Sequence, residues 1–151
     1  MSCSVIAPGS TIGILGGGQL GRMLAMAARR MGYRVHVYSP ASCTPASQVF
    51  DLEISRPYED LDAARAFARG VDVVTFEFEN VPAVTVEAIA DLVPVRPTAR
   101  ILHTTQNRIR EKQFLQREGL PLARFHEVRT SEDLWRGIEN VGRPEIGRAH
   151  V

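Results

Sequence analysis

Residues 11–38 read TIGILGGGQLGRMLAMAARRMGYRVHVY, and the order of residue types in this stretch decides the fold. Residues 11–15 (TIGIL) are a short β-rich apolar run that ends in glycines. Residues 20–31 (LGRMLAMAARRM) carry apolar side chains at helical spacing and stop before Gly32, the residue type that most easily ends a helix. Residues 34–38 (RVHVY) alternate with period two, as a strand does. Strand, glycine turn, helix and second strand make one βαβ unit, complete by Tyr38.

The rhythm continues outward. A Pro- and Ser-containing loop over residues 39–47 precedes a helical pattern over 61–69, closed by Gly70. Residues 71–76 (VDVVTF) are nearly continuous in β-branched and apolar types, which suits a central parallel strand covered on both faces. Pro82 opens a further helix through Leu92, and residues 93–95 make a short strand. Alternating strands and helices imply an α/β fold with a parallel sheet. From Thr98 the character changes: one or two helical turns over 99–103, then a helix over 106–118 capped by Thr105 and closed by Gly119. A strand over 122–128 and a capping box of Thr130 with Asp133, opening the helix that holds Trp135, complete the reading. The change of character places a domain boundary within 97–105, and residues 1–10 read as a flexible lead-in.

Lys and Arg number 18 against 17 Asp and Glu, a balance that carries no electrostatic footprint for nucleic acid. The two cysteines, Cys3 and Cys43, sit in no CxxC pair and near no His at metal-ligand spacing, so a reduced, cytoplasmic setting is the simplest expectation. No run approaches the roughly 20 apolar residues a membrane helix needs.

Gly16, Gly18 and Gly21 match GxGxxG directly after a strand and at the opening of a helix. Glycine there permits positive φ and leaves no Cβ where an anion approaches, while the helix N-terminus offers unpaired N–H groups to a phosphate. A dinucleotide site also wants an acid at the end of the second strand for the ribose hydroxyls, but that strand ends Val37, Tyr38, Ser39, Pro40. The reading is therefore a phosphate-bearing ligand other than NAD. Glu77 and Glu79 lie two apart in a strand context, so both face one side while Phe76 and Phe78 face the other. Solvated carboxylates at a strand end are the plain alternative; apolar neighbours on both sides favour a functional role for Glu77. Asn80 reads as a cap for the helix begun by Pro82. By composition alone Arg108, beside Arg110, Glu111 and Lys112, is one charge on a solvated helix face. His36, His103 and His126 read as packing or surface residues, Met23, Met26 and Met31 as helix core filling, and Trp135 as an anchor for its helix.

Three ordered motifs carry a resemblance. GGGQLGRM (16–23) with Gly32-Tyr33-Arg34-Val35, then TFEFENVP (75–82), then QNRIREKQFLQREGLP (106–121) together resemble the 5-(carboxyamino)imidazole ribonucleotide synthase family of ATP-grasp enzymes, over residues 11–144. Asn107 stands where the family's third motif more often has Asp. The resemblance implies a Rossmann-like (pre-ATP-grasp) domain over 11–97, with a parallel sheet and helices on both faces. It further implies the beginning of an ATP-grasp domain over 98–144. Residues 145–151 (EIGRAHV) fall outside it and resemble a translated library adapter, so a non-native tail is expected there. The implied reaction joins bicarbonate to the 5-amino group of aminoimidazole ribonucleotide while ATP is cleaved to ADP and phosphate, with Mg2+, in a full-length homodimer, and with neither nucleic acid nor membrane as partner.

Carried over by position, the N–H groups of Gly18, Gln19 and Leu20 would bind the substrate's 5′-phosphate or ribose, Glu77 its aminoimidazole end or ribose, and Arg108 an ATP phosphate. No catalytic or metal-ligating residue is assigned. The metal-binding carboxylates and most of the ATP pocket are expected outside this stretch, so the chain by itself is expected to be inactive. Three other classes share parts of the pattern. A glycinamide ribonucleotide transformylase would carry Glu in place of Gln19 and lack EFEN, and a nicotinamide oxidoreductase would want an acid or an Arg pair after Tyr38. A non-catalytic nucleotide-binding module would show no turnover at any length.

Overall fold

A computed structural model describes residues 5–148, so Cys3 and the last three residues of the expected tail lie outside the described part. The chain divides into two compact units, one running to Leu102 and one beginning at His103.

In the first unit β1 (Thr11–Leu15), β2 (Arg34–Ser39), β3 (Leu52–Ser55) and β4 (Val73–Phe76) form one parallel sheet in the order β3-β2-β1-β4. Alternation along each strand sends neighbours to opposite faces. Ile14, Val35 and Val37 meet Ala25 and Ala28 of helix α1 (Gln19–Arg30) on one side. Leu15, Tyr38 and Val74 meet Phe67 and Ala68 of α2 (Leu61–Ala68) and Val86 and Ile89 of α3 (Ala83–Ala90) on the other. Helices therefore cover both faces of a parallel sheet, as the alternating pattern requires. The second face holds the aromatic centre of the unit, with the ring centroids of Tyr38 and Phe67 5.5 Å apart. The buried Tyr38 hydroxyl donates to the carbonyl of Pro57 at 2.7 Å.

Several details differ from the sequence expectation. β4 is not a central strand: β1 flanks it on one side, and on the other it has a single parallel bridge from Val74 to Val95, which is all that forms of the strand expected over 93–95. An apolar β-branched run reports that the faces are covered, not how many strands lie alongside. β3, short and with both end residues exposed, gave no clear period in the sequence. Met23, Met26 and Met31 are exposed instead of filling a core. α1 approaches the sheet through Gly21, Ala25 and Ala28, and side chains this small leave no room at the contact for methionine. Asn80 does not cap α3, whose N-cap is Pro82 with no side-chain bond. Cys43 lies in a loop as expected, exposed and at φ 54°.

Ala99 and Leu102 of α4 (Ala99–Thr105) pack into the first unit's core, with Leu102 fully buried. The second unit holds α5 (Arg108–Arg117) and α6 (Ser131–Val141). α5 begins two residues later than expected and is capped by Asn107, not Thr105: the Asn107 side chain accepts from the backbone N–H of Ile109 and of Arg110, at 3.1 and 3.0 Å. The expected strand over 122–128 does not form, the segment having no regular secondary structure; its apolar residues gave the right local pattern, but a strand also needs a neighbour to bond to. The Thr130–Asp133 capping box is present as read. Trp135 does not anchor α6, being 62% exposed. The residue α6 buries is Gly137, against His126, and two positions along a helix is roughly half a turn away.

Candidate functional site at the sheet's switch point

From β1 the chain moves outward through β2 to β3, then returns to place β4 on the opposite side of β1. In open α/β sheets such a reversal is where ligands bind, beyond the carboxyl ends of the strands, here those of β1 and β4. Leu15 and Phe76 are register partners, so the glycine turn that follows Leu15 and the Glu77 that follows Phe76 emerge side by side. The Glu77 N–H donates to the Leu15 carbonyl at 3.2 Å and fixes that neighbourhood.

Here the structure supplies what the sequence could not. The Glu77 carboxylate lies on the glycine turn, with Oε1 accepting from the Gly18 N–H at 2.8 Å and Oε2 accepting from the Gly21 N–H. With Gly18 as N-cap and Gln19 as the first residue of α1, these are the first and fourth amides of the helix start. The amides of Gln19 and Leu20 lie between them and have no acceptor in a preceding helical turn. All four substrate-binding candidates, Gly18, Gln19, Leu20 and Glu77, thus meet at one place: the amides of Gly18 and of Gly21 hold the Glu77 carboxylate, and those of Gln19 and Leu20 belong to exposed residues.

At each glycine of the motif an added Cβ would collide with the Glu77 side chain. A Cβ at Gly18 would sit 2.5 Å from Glu77 Oε1, one at Gly21 2.5 Å from Oε2, and one at Gly16 would overlap Glu77 Cγ. Gly16 further requires φ +118°, which L side chains rarely adopt. The glycine turn and the EFEN segment, read as two separate motifs in the sequence, are two halves of one contact. A second wall comes from the loop after β2: a Cβ at Gly17 would meet Thr44 Oγ1 at 2.5 Å, and that hydroxyl donates to Glu53 at 2.9 Å. The Arg22 guanidinium, in the first turn of α1, donates to the Pro45 carbonyl at 3.2 Å.

The expected alternation of Glu77 and Glu79 does not extend this far, because β4 stops at Phe76. Glu77 turns onto the glycines, Glu79 is exposed, and Phe76 and Phe78 both pack on the larger core. At the end of β2, Val37, Tyr38 and Ser39 are all buried, and none of the three carries the carboxylate that a dinucleotide's ribose takes from this strand.

Electrostatics decide what the remaining amides can take. A unit negative charge about 4 Å from the Glu77 carboxylate, at an effective dielectric near 20, is repelled by about 4 kcal/mol. A hydroxyl, which both donates and accepts, fits N–H groups beside a carboxylate. The charge also reaches Tyr58, whose phenol is pushed up to about 12, first by burial and then by Glu77, with a hydrogen bond to Ser39 pulling the other way. Because the folded value lies above the ordinary 10, stability present below pH 10 is lost as pH rises from about 10 towards 12. We expect the Tyr58 ionisation step, isolated by difference from Tyr58→Phe in an ultraviolet titration, to move down in Glu77→Gln. An unmoved step would mean that the carboxylate does not face this phenol.

In the second unit, Arg108 is the first residue of α5 and pairs with Glu111, one turn along the same helix. Asn107, the departure from the family's third motif, is the N-cap, a position that Asn and Asp serve equally well. Arg110 bonds the His103 ring, giving that histidine a structural partner. Among the described residues no group of three or more His, Cys, Asp and Glu could hold a metal ion, and no helix is long and apolar enough to cross a membrane.

A doubly wound parallel sheet with a glycine turn at its switch point defines a Rossmann-like α/β domain. Residues 9–106 match the family model described as the ribonucleotide synthetase preATP-grasp domain, and the chain belongs to that family. It is 46% identical over 150 residues to the bifunctional purine synthesis protein purC/E of Dictyostelium discoideum, a match covering 99% of this chain and 15% of that protein. A crystal structure of the ADP complex of N5-carboxyaminoimidazole ribonucleotide synthetase is similar with TM-score 0.87 and 40% identity, over 95% of this chain and 38% of that one. The Aspergillus clavatus N5-carboxyaminoimidazole synthase, in complex with ADP and 5-aminoimidazole ribonucleotide, gives TM-score 0.76 and 33% identity, over 89% of this chain and 37% of that one. The chain therefore spans less than two fifths of the length of each of these relatives.

Proposed function

We propose that this chain is the amino-terminal, substrate-binding part of an ATP-dependent ligase that carboxylates the 5-amino group of aminoimidazole ribonucleotide with bicarbonate, a step of purine biosynthesis in the cytoplasm. Residues 11–97 would be the pre-ATP-grasp domain and 98–144 the beginning of the ATP-grasp domain, acting with the segments that the longer relatives carry, in a homodimer. The observation that carries the reading is the meeting of the Glu77 carboxylate with the Gly18 and Gly21 amides at the switch point, on either side of the Gln19 and Leu20 amides. Support comes from relatives whose names state this ligase and whose complexes contain ADP and 5-aminoimidazole ribonucleotide.

In this chemistry a bicarbonate oxygen attacks the γ-phosphorus of ATP, ADP leaves, and carboxyphosphate forms. The 5-amino nitrogen then attacks the carboxyl carbon, phosphate departs, and the nitrogen loses a proton. Mg2+ would supply charge neutralisation on the ATP phosphates. This chain's own share is positioning: the Gln19 and Leu20 N–H groups and the outer lone pairs of Glu77 hold the ribose hydroxyls, fixing the direction in which the amine points. Arg108, released from Glu111, would pair with an ATP phosphate oxygen.

The test is titration of aminoimidazole ribonucleotide into the isotope-labelled chain, following backbone amide resonances. Saturable shifts at Gln19 and Leu20, not produced by NAD, are the expected result. A folded chain whose Gln19 and Leu20 resonances ignore millimolar ligand, or respond equally to NAD, would count against the proposal.

A further inference from the structure

We infer that Glu77 is an internal anion that makes the glycine turn refuse phosphate, and that it is thereby the residue that discriminates against pyrophosphate-bearing dinucleotides. This deepens the proposed function and rests on it only for the ligand accepted; the exclusion follows from the turn itself.

A glycine turn leading into a helix presents amides to an anion because glycine leaves the space above them open. Here that space is filled from within the chain. One Glu77 oxygen takes the N-cap amide and the other the third helical amide. A Cβ at Gly16, Gly18 or Gly21 would lie within 2.5 Å of an atom of the same side chain, so three glycines that look like a cradle for a ligand's phosphate cradle the protein's own carboxylate. Two features keep it there: its backbone N–H is bonded to Leu15, and Gly16 packs against the side-chain stem at Cγ and Cδ. An incoming phosphate would have to displace these bonds or sit on the Gln19 and Leu20 amides against a full negative charge. The nearby Arg22 donates to Pro45, and the buried Tyr58 is held protonated, so neither cancels that charge.

Removing the charge should therefore create an anion site where the native chain has none. The probe is inorganic pyrophosphate, titrated into the full chain and into Glu77→Gln and Glu77→Ala, with affinity from calorimetry and location from the Gly18 and Gly21 amide resonances. The native chain is expected to show no saturable shift at these amides, and a folded variant to bind at least tenfold more tightly, with both amides moving. Equal binding by native chain and variants, or folded variants that bind nothing, would overturn the inference. Should neither variant fold, the native chain still decides: saturable pyrophosphate shifts at Gly18 and Gly21 refute the exclusion, and their absence upholds it. Because pyrophosphate carries no ribose or imidazole, the result is independent of whether aminoimidazole ribonucleotide binds.

Discussion

Gly16→Ala is expected to cost about 3–5 kcal/mol, a large part of the 5–15 kcal/mol that holds a typical domain folded. Two effects combine. The backbone stands at φ +118°, and forcing an L residue there stores about 1–3 kcal/mol. The new Cβ also overlaps Glu77 Cγ and lies 2.9 Å from Cδ, so the side chain must move and its bonds to the Gly18 and Gly21 amides weaken. Hydrogen bonds to a charged group contribute about 1.5–3 kcal/mol each. Gly9 separates the two contributions, since it has φ +94° with nothing within 4 Å of its Cβ position. Gly9→Ala should therefore cost only the strain. Urea unfolding of both variants is the measurement. Equal losses would mean that packing against Glu77 adds nothing at Gly16.

Phe67→Ala is expected to cost a similar 3–5 kcal/mol, by cavity formation. Phe67 is buried in the larger core, and its ring is held by Tyr38 on one side and by the open Cα of Gly13 on the other. A Cβ at Gly13 would stand 2.9 Å from Phe67 Cζ, so Gly13→Ala alone overpacks the same place at about 1–3 kcal/mol. The two sites are in contact and should not add: Gly13→Ala combined with Phe67→Leu should cost at least about 1 kcal/mol less than the sum of the separate variants. Additive costs in a double-mutant cycle would show that the ring does not lie over β1 as described.

The βαβ opening, the helices of the first unit and the Thr130–Asp133 cap were legible because each depends on residues a few positions apart. Residue size at one interface was not. Met23 and Met26 have helical spacing like any core stripe, yet α1 contacts the sheet through Gly21, Ala25 and Ala28, and only the closeness of the sheet selects the small residues. The strand expected over 122–128 fails for a related reason, since extended residues become a strand only when a neighbour offers its hydrogen bonds. Arg108 shows the opposite case: nothing local marks it out, and only the order of the motifs points to it.

By itself the sequence determined the class of the fold, the place of the glycine turn and the candidates Gly18, Gln19, Leu20 and Glu77, because turn chemistry and periodicity act over short stretches. Only the tertiary structure decided that Gly18 and Gly21, 59 and 56 residues from Glu77, bond the two oxygens of its carboxylate. That meeting depends on β4 returning beside β1, an ordering of strands set by how the two faces of the sheet are buried and by no local pattern in the chain.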